Sequence, residues 1–513
     1  MTMTQWFIFF LIIQVIHFLG TWKLYIKAGR SSWEALLPIY NAIVLMKIIN
    51  RPTWWVILLF IPIINLLMFP VIWIETIRSF GKNSTIDSFL AVLTLGFYTY
   101  YINYLTNVNY VEDRSLKSRT ELGEWVSSIV FAIVAATLVH TYFMQPYTIP
   151  TSSLEKSLLI GDFLFVSKFH YGARTPMTTI AAPMVHDSLP LTKAKSYLNT
   201  PKLPYFRIPG FQDIKRNEIV VFNWPVDTVR FFRDRSNIYI DKPIDKKSNY
   251  VKRCVGIAGD SLEIKDGYIY INGERTKLPD RAKTQYHHKV IVSNEFNPNS
   301  LMTRYGSTEL GGGNNGQYIV NLTDDNAKKL RNNPYVKSVI KNLTLKGNYD
   351  STLFPHSEQY PWSGDNFGPI YIPEEGKTVE LNAESIPFYK RIIEVYENND
   401  LTINGDEIFI NGKLATTYTF KQNYYWMMGD NRHNSEDARY WGYVPFDHVV
   451  GKPVFIWFSW DTNGQGIANK IRWERVFTTV HGTGKPVSYL YYFIGILVLW
   501  YGTSVYRKRK KAE

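Results

Sequence analysis

Tyr250-Val-Lys-Arg-Cys-Val-Gly-Ile-Ala-Gly-Asp260 decides how the soluble part of this 513-residue chain folds. Its apolar residues run for a strand-like length before a Gly-Asp turn, and two long basic side chains, Lys252 and Arg253, interrupt them. Side chains alternate across a strand, so one of the two bases must face the sheet interior or a cleft. A lysine held among Tyr250, Val251 and Val255 loses the solvation of its ammonium form, and its pKa falls from about 10.4 towards a range where the amine accepts a proton. An exposed edge-strand lysine that blunts aggregation is the alternative for the same pattern.

Working outward, residues 200–480 are dominated by short β-branched and aromatic runs broken by Gly, Asn, Asp and Pro. Glu218-Ile-Val-Val-Phe222, Ser261-Leu-Glu-Ile264, Tyr268-Ile-Tyr-Ile271 and Glu407-Ile-Phe-Ile410 predict a mostly β domain of antiparallel sheets. Lys265-Asp-Gly-Tyr-Ile-Tyr-Ile-Asn-Gly-Glu274 and Asn404-Gly-Asp-Glu-Ile-Phe-Ile-Asn-Gly-Lys413 both read as a strand entering an Asn-Gly turn. We read them as two hairpins of common design rather than a domain duplication. Between them, residues 282–400 are polar, carry Gly311-Gly-Gly-Asn-Asn-Gly316, show no recognisable chemistry and read as an insertion.

Hydrophobicity is distributed unevenly. Apolar runs at 6–22, 53–74, 88–105, 125–143 and 487–506 approach the ~20 residues needed to cross a bilayer, and each is aromatic-rich near at least one end. They predict multiple α-helical transmembrane segments at the N-terminus (three within 1–105, then an anchor at 125–143) and one at the C-terminus. The run 33–49 is shorter and carries Glu34, Pro38, Asn41 and Lys47, so an interfacial or re-entrant helix is expected there. With the N-terminus outside, thirteen Lys and Arg fall in the cytoplasmic loops (Arg114, Lys117 and Arg119 in 106–124) and in the 507–513 tail, against Arg78 and Lys82 outside. That bias places 144–486 on the outer side. Met1 to Gln5 carry no Lys or Arg and no small-x-small site closes the first run, so the first span is expected to stay as an anchor rather than be cleaved.

The net charge of +13 is concentrated largely in these juxtamembrane clusters, which suit an anionic inner leaflet; no nucleic-acid partner is expected. A single cysteine, Cys254, excludes an internal disulfide, and beside Arg253 it reads as a small core residue. His287-His288 lacks partners at metal-ligand spacing.

Two further segments carry candidate chemistry. Ile149-Pro-Thr-Ser-Ser-Leu-Glu-Lys-Ser-Leu-Leu-Ile-Gly-Asp162 puts a Ser-rich turn, fixed by Pro150, just beyond the fourth apolar run, so its hydroxyls lie near the outer lipid surface. Ser and Thr clusters commonly do no more than cap turns. Met428-Gly-Asp-Asn-Arg-His-Asn-Ser-Glu-Asp-Ala-Arg-Tyr-Trp-Gly-Tyr-Val-Pro445 crowds Asp, Asn, Arg and Ser into one loop, the composition of a hydrogen-bond network around a site or of a solvated turn.

Together these segments resemble the bacterial type I signal peptidases. Ile149-Pro-Thr-Ser-Ser153 with Leu159-Ile-Gly-Asp162 meets the nucleophile pattern, and Arg216-Asn-Glu-Ile-Val-Val-Phe222 the following strand. Tyr250 to Asp260 meets the base-bearing strand, and Gly429 to Arg439 the Gly-Asp-Asn loop; order and approximate spacing agree over 125–460 apart from the insertion. The chain departs from the family where Leu154-Glu-Lys-Ser157 replaces Met-x-Pro-Thr, Thr151 replaces Ser and Ala258 replaces Pro. Its membrane part is also larger than the family's usual one or two anchors.

The resemblance implies a membrane-bound serine endopeptidase that removes signal peptides from exported preproteins, cutting after a small residue. Ser153 would be the nucleophile and Lys252 its general base. The Ser153 N–H and the Thr151 hydroxyl would form the oxyanion hole. Ser435 would orient the lysine, and Asp437 with Arg253 would form a supporting ion pair. Ile149, Leu154, Val221, Tyr250 and Val251 would line the substrate pocket. It further implies no metal or other cofactor and a bacterial inner (cytoplasmic) membrane location; the apolar runs make the chain multi-pass, with the lipid bilayer as a partner. The extra N-terminal spans are expected to bind the protein translocation machinery or to guide the substrate helix.

Two other readings compete. Ser153-Leu-Glu-Lys156 has the Ser-x-x-Lys spacing of penicillin-binding acyl transferases, which would make Lys156 the base; no Lys-Thr-Gly strand accompanies it, only Gly482-Thr-Gly-Lys485. A catalytically silent scaffold or binding protein for exported chains would keep the fold without the chemistry. Ser153→Ala separates this last reading: a scaffold keeps its function, whereas a protease loses it and uncut precursors accumulate in the membrane fraction.

Overall fold

The structure, a computed structural model, describes residues 2–117, 120–229, 234, 236, 238–464 and 466–510. Arg119 and Lys511, counted above among the cytoplasmic charges, lie outside them. The chain forms two units. One comprises Met1–Phe143, Ala173–Ile208 and Thr228–Ser248, the other Met144–Gly172, Pro209–Asp227 and Asn249–Glu513.

In the first unit, the helix Met3–Lys27 opens with a capping box, Thr2 Oγ1 accepting the Gln5 N–H while the Gln5 side chain accepts the Thr2 N–H. This helix and Glu121–Phe143 are, among the described residues, the two long and apolar enough to cross a membrane. The expected crossings at 53–74 and 88–105 are not continuous helices. The first divides into Trp55–Leu58 and Ile64–Ser79, separated at Ile63 with φ +71°. The second divides into Thr85–Leu93 and Tyr98–Leu105, separated at Leu95 and Gly96 with φ +51° and +85°.

Each of these segments turns back. Arg51 Nε lies 2.9 Å from Glu75 Oε2 and Arg114 Nη2 lies 2.5 Å from the same oxygen, so the two flanks of 53–74 meet. A crossing would hold them about 30 Å apart. In the second segment the Tyr98 hydroxyl donates to Asp87 Oδ1 at 2.7 Å, where eleven residues of straight helix would rise about 16 Å. The expected crossings at 53–74 and 88–105 are therefore corrected to helical hairpins lying between the two long apolar helices in sequence. Residues 33–49 also fail to form one helix, turning at Ile39 (φ +67°) between Ser32–Ala35 and Tyr40–Ile48. With 53–74 folded back, Arg78 lies with Arg51 and Arg114 around the Glu75 carboxylate.

The second unit is built on antiparallel sheets, as its alternating runs require. Its main sheet runs in the order Met144–Thr148, Asp162–Ser167, Val449–Ser459, Ile219–Asn223, Asn249–Gly256, Tyr424–Met428, Val444–Pro445, with Thr478–Thr479 added on Val449–Ser459. The lysine-bearing strand is thus central, Lys252 lying opposite Val220. This corrects the edge-strand alternative. Cys254 is buried and free. The two hairpins form as read: Asn272-Gly273 and Asn411-Gly412 both take positive φ between paired strands.

The inserted stretch has its own core rather than being featureless. Strands Tyr286–Val292, Leu310–Gly312, Gln317–Leu322 and Val336–Lys341 form a four-stranded sheet that, with the helix Asp324–Arg331, buries Val290, Leu301, Val320, Leu322 and Leu330. Later parts of it join other sheets, as Phe367–Tyr371 does beside Ser261–Lys265. At the C-terminus, Leu490–Lys510 is helical with no buried residue and ends on Arg507, Lys508, Arg509 and Lys510.

The Ser153 turn bridges the first two strands of the main sheet. The Ile149 N–H donates to the Asp162 carbonyl and the Gly161 N–H to the Ile149 carbonyl, both at 2.9 Å. Gly161 takes φ +87°, and a Cβ there would overlap the Trp460 carbonyl. Gly161→Ala is expected to destabilise this unit by about 2 kcal/mol or more. Thermal unfolding in detergent measures it, and an unchanged Tm would contradict the assigned backbone.

Candidate active site

Strand alternation sends Lys252 and Arg253 to opposite faces. Lys252 is buried, and its Nζ donates to Ser435 Oγ at 3.1 Å while lying 5.8 Å from the centre of the Tyr250 ring. Burial removes the solvation of the ammonium and is the largest influence, lowering the pKa to about 8; the carboxylates of Asp437 and Glu436 pull the other way. The amine is thus neutral over an accessible pH range, as a general base must be.

Ser153 lies in the one-turn 3-10 helix Ser152–Leu154 and is buried. Its carbonyl accepts the Asn431 N–H at 3.0 Å, which fixes the turn to the loop that carries Ser435. Gly429 lets the two approach, since a Cβ there would strike both the Ser435 side chain and the Ser153 carbonyl. Ser153 and the Lys252–Ser435 pair therefore meet at Gly429. Among the described residues no hydrogen bond joins Ser153 Oγ to Lys252 Nζ; such contacts are commonly long in free enzymes and tighten when substrate binds. Thr151 precedes the turn in extended conformation (φ −136°, ψ 158°), and its side chain makes no capping bond to it.

The loop Gly429 to Arg439 is held by two buried ion pairs. Arg253 Nε donates to Asp430 Oδ1 at 2.8 Å and Nη2 to Oδ2 at 2.6 Å, and Ser157 Oγ also donates to Oδ2 at 2.6 Å. Arg439 Nε donates to Asp437 Oδ1 at 2.8 Å and Nη2 to Oδ2 at 2.9 Å, and the Gly429 N–H donates to Oδ2 at 3.0 Å. Burial alone would raise both aspartates, but the neighbouring guanidinium charges and hydrogen bonds outweigh it and hold both below the usual carboxylate range. The expected Arg253–Asp437 pair is thereby corrected: Arg253 leaves its strand on the face away from Ser435, where Asp430 stands, and Asp437 caps Ala438–Trp441 beside its own Arg439.

Ile149, Leu154, Val221 and Val251 pack in one apolar cluster beside the turn. Tyr250 differs from the other expected pocket residues, stacking on Trp224 at 5.1 Å within another cluster. Lys156 is drawn away from Ser153. Glu155 (φ −47°, ψ 142°) leaves the helical conformation and Lys156 takes φ +68°, so the helical register that Ser-x-x-Lys needs is broken. The Lys156 amine instead donates to the Gly306 carbonyl in the insertion. Sequence reasoning missed the insertion's other contacts here: the Gln285 N–H and C=O bracket the loop at Asp430 and Arg432, and its Nε2 donates to the Glu155 carbonyl at 3.1 Å.

The model of the family described as "Signal peptidase, peptidase S26" matches residues 122–320 and 375–460, more than half of the chain. The chain belongs to the S26 family of signal peptidases. It is accordingly a hydrolase, a serine endopeptidase of the type I signal peptidase kind. The Signal peptidase I of Buchnera aphidicola subsp. Acyrthosiphon pisum is 25% identical over 408 residues, covering 76% of this chain and 97% of that relative. The Helicobacter pylori (strain J99) Signal peptidase I is 27% identical over 376 residues, covering 71% and 94%. The Haemophilus influenzae Signal peptidase I is 23% identical over 377 residues, covering 72% and 79%. Residues 33–113, the segment with the folded-back hairpins, match a family of unknown function, DUF5684.

The Lys252 shift has two measurable consequences of known sign. A general base at Lys252 would make kcat/KM rise with pH through a midpoint near 8. The folded-state pKa lies below the unfolded one, so the desolvated ammonium costs stability below about 8, and the cost fades as pH rises towards 10.5. Lys252→Met should therefore raise Tm at pH 6 and lose that gain near pH 10. A gain independent of pH would contradict the assigned shift.

Proposed function

We propose that this signal peptidase cleaves the signal peptides of exported preproteins by a Ser153/Lys252 dyad, with residues 144–486 on the outer face of the bacterial inner membrane. The observation that carries the reading is the buried amine of Lys252, held by Ser435 from a loop that is itself fixed to the Ser153 turn.

In this mechanism neutral Lys252 takes the Ser153 Oγ proton as Oγ attacks the scissile carbonyl. The Ser153 N–H and the Thr151 hydroxyl donate to the oxyanion, each such donor contributing about 3 kcal/mol. The Lys252 ammonium then protonates the leaving amine, releasing the mature protein and leaving the signal peptide esterified to Ser153. Lys252, neutral again, takes a proton from the water that attacks the ester and returns it to Ser153 Oγ as that oxygen leaves, freeing the signal peptide as its carboxylate. Ser435 holds the amine in line, and the Asp437–Arg439 pair fixes the loop carrying Ser435. Ile149, Leu154, Val221 and Val251 bound a pocket for small side chains, with Tyr250 contributing through Lys252 rather than through that cluster.

For the membrane part we propose that Met3–Lys27 and Glu121–Phe143 cross, that 33–105 folds back between them, and that 490–510 crosses at the C-terminus. Folding back 53–74 and 88–105 removes two crossings, so the outer location of 144–486 is unchanged. It also gathers Arg51, Arg78, Lys82 and Arg114 on the cytoplasmic side, which agrees with the positive-inside rule. The Trp6 indole donates to the Lys202 carbonyl at 3.2 Å, consistent with an outer start for the first helix. The 33–113 segment is proposed to meet the translocation machinery or the substrate helix.

Precursor processing in membranes compares the two candidate bases. Lys252→Ala is expected to lose at least about a thousandfold in rate, and Lys156→Ala to stay within about threefold of the parent. Full activity in Lys252→Ala would overturn the dyad.

A further inference from the structure

The insertion sends one carboxylate to the rim of the site. Glu309 Oε1 accepts from Asn431 Nδ2 at 2.8 Å and from Asn434 Nδ2 at 2.6 Å, both on the loop that carries Ser435. The same two amides reach the residue before the nucleophile: Asn431 Nδ2 lies 3.4 Å from the Ser152 carbonyl, and Asn434 Nδ2 lies 3.2 Å from Ser152 Oγ. The Asn431 N–H holds the Ser153 carbonyl itself. Two asparagine side chains thus span the gap between Glu309 and the Ser152-Ser153 peptide.

Glu309 is fixed from its own side. Asn321, fully buried on the inserted sheet, accepts at one oxygen from Ser307 Oγ and from the N–H groups of Thr308 and Glu309, all at 2.9 Å. Glu309 Oε2 meets His287 Nε2 at 3.0 Å, on the neighbouring strand. The hydrogen bond from His287, with those from Asn434 and Asn431, lowers the carboxyl pKa to about 2 against a smaller effect of burial. Glu309 is thus ionised wherever Lys252 can act as a base, and a charged acceptor orients amide donors more firmly than a neutral one.

We propose that Glu309 is a positioning residue for catalysis, holding Asn431 and Asn434 so that they fix the Ser152-Ser153 peptide, whose N–H is assigned to the oxyanion. The insertion is then part of the catalytic apparatus rather than an appendage. Gln285 and Lys156 act in the same direction, tying the insertion to the 429–439 loop and to the far end of the turn. This inference rests on the Ser153 reading above.

Steady-state kinetics on a fluorogenic peptide with Ala-x-Ala before the cut, using full-length protein in detergent, tests it with Glu309→Ala, Glu309→Gln and Ser153→Ala side by side. Glu309→Ala is expected to lower kcat about tenfold or more with KM within about twofold and Tm little changed, because small misplacements of reacting groups cost rate rather than binding. Glu309→Gln keeps an acceptor of the same shape and is expected to recover most of kcat. Unchanged kcat in Glu309→Ala, or a loss no larger than the fraction of unfolded enzyme, would overturn the role of Glu309 while an inactive Ser153→Ala leaves the nucleophile in place. Full activity in Ser153→Ala would overturn both.

Discussion

The site depends on one unfavourable act of burial. Lys252 sits on a central strand with its amine out of water, where an ammonium is costly and a free amine is not. In the proposed mechanism catalysis uses that cost, because it moves the proton affinity of the group towards neutral pH. The cost is tolerated because Ser435 accepts a hydrogen from the amine and the carboxylates of Asp437 and Glu436 offset part of the desolvation. The same burial explains the surrounding loop: a base that must stay both dry and aligned needs a rigid holder.

That holder is the 429–439 loop. Its two buried aspartate–arginine pairs are bidentate and hydrogen-bonded to backbone as well, the arrangement in which buried ion pairs recover most of their desolvation cost. Removing one partner would leave a charge buried alone, so the pairs act as an all-or-none lock on loop shape. Gly429 sets how close the loop comes to the Ser153 turn, and Gly161 closes that turn against Trp460. Local backbone choices and long-range ion pairs therefore converge on one constraint, the placement of the Ser153 turn against the loop that holds the Lys252 amine.

Much of this was legible in the sequence because it is written locally. Period-two alternation gave the strands, Asn-Gly gave the hairpins, and an apolar strand interrupted by Lys252 marked a buried base. The Arg253–Asp437 pair that the resemblance implied does not form, because alternation separates Lys252 from Arg253 and hands Arg253 to Asp430. The crossings at 53–74 and 88–105 were misread because hydropathy counts composition, whereas the chain reverses at Ile63 and Leu95, non-glycine residues with positive φ that no pattern flags. Gln285 and Glu309 carried no signal of their place at the site, since the partners that tie them to it, Glu155 for one and Asn431 and Asn434 for the other, lie more than a hundred residues away.

The central claim is that the fold itself makes Lys252 a base. Its amine can be titrated directly by NMR in protein carrying 13C-labelled lysine, with Lys252→Arg used to assign the resonance. A midpoint near 8 for Lys252 is predicted, well below the ordinary lysine value of about 10.4. Titration of Lys252 together with the exposed lysines would contradict the account.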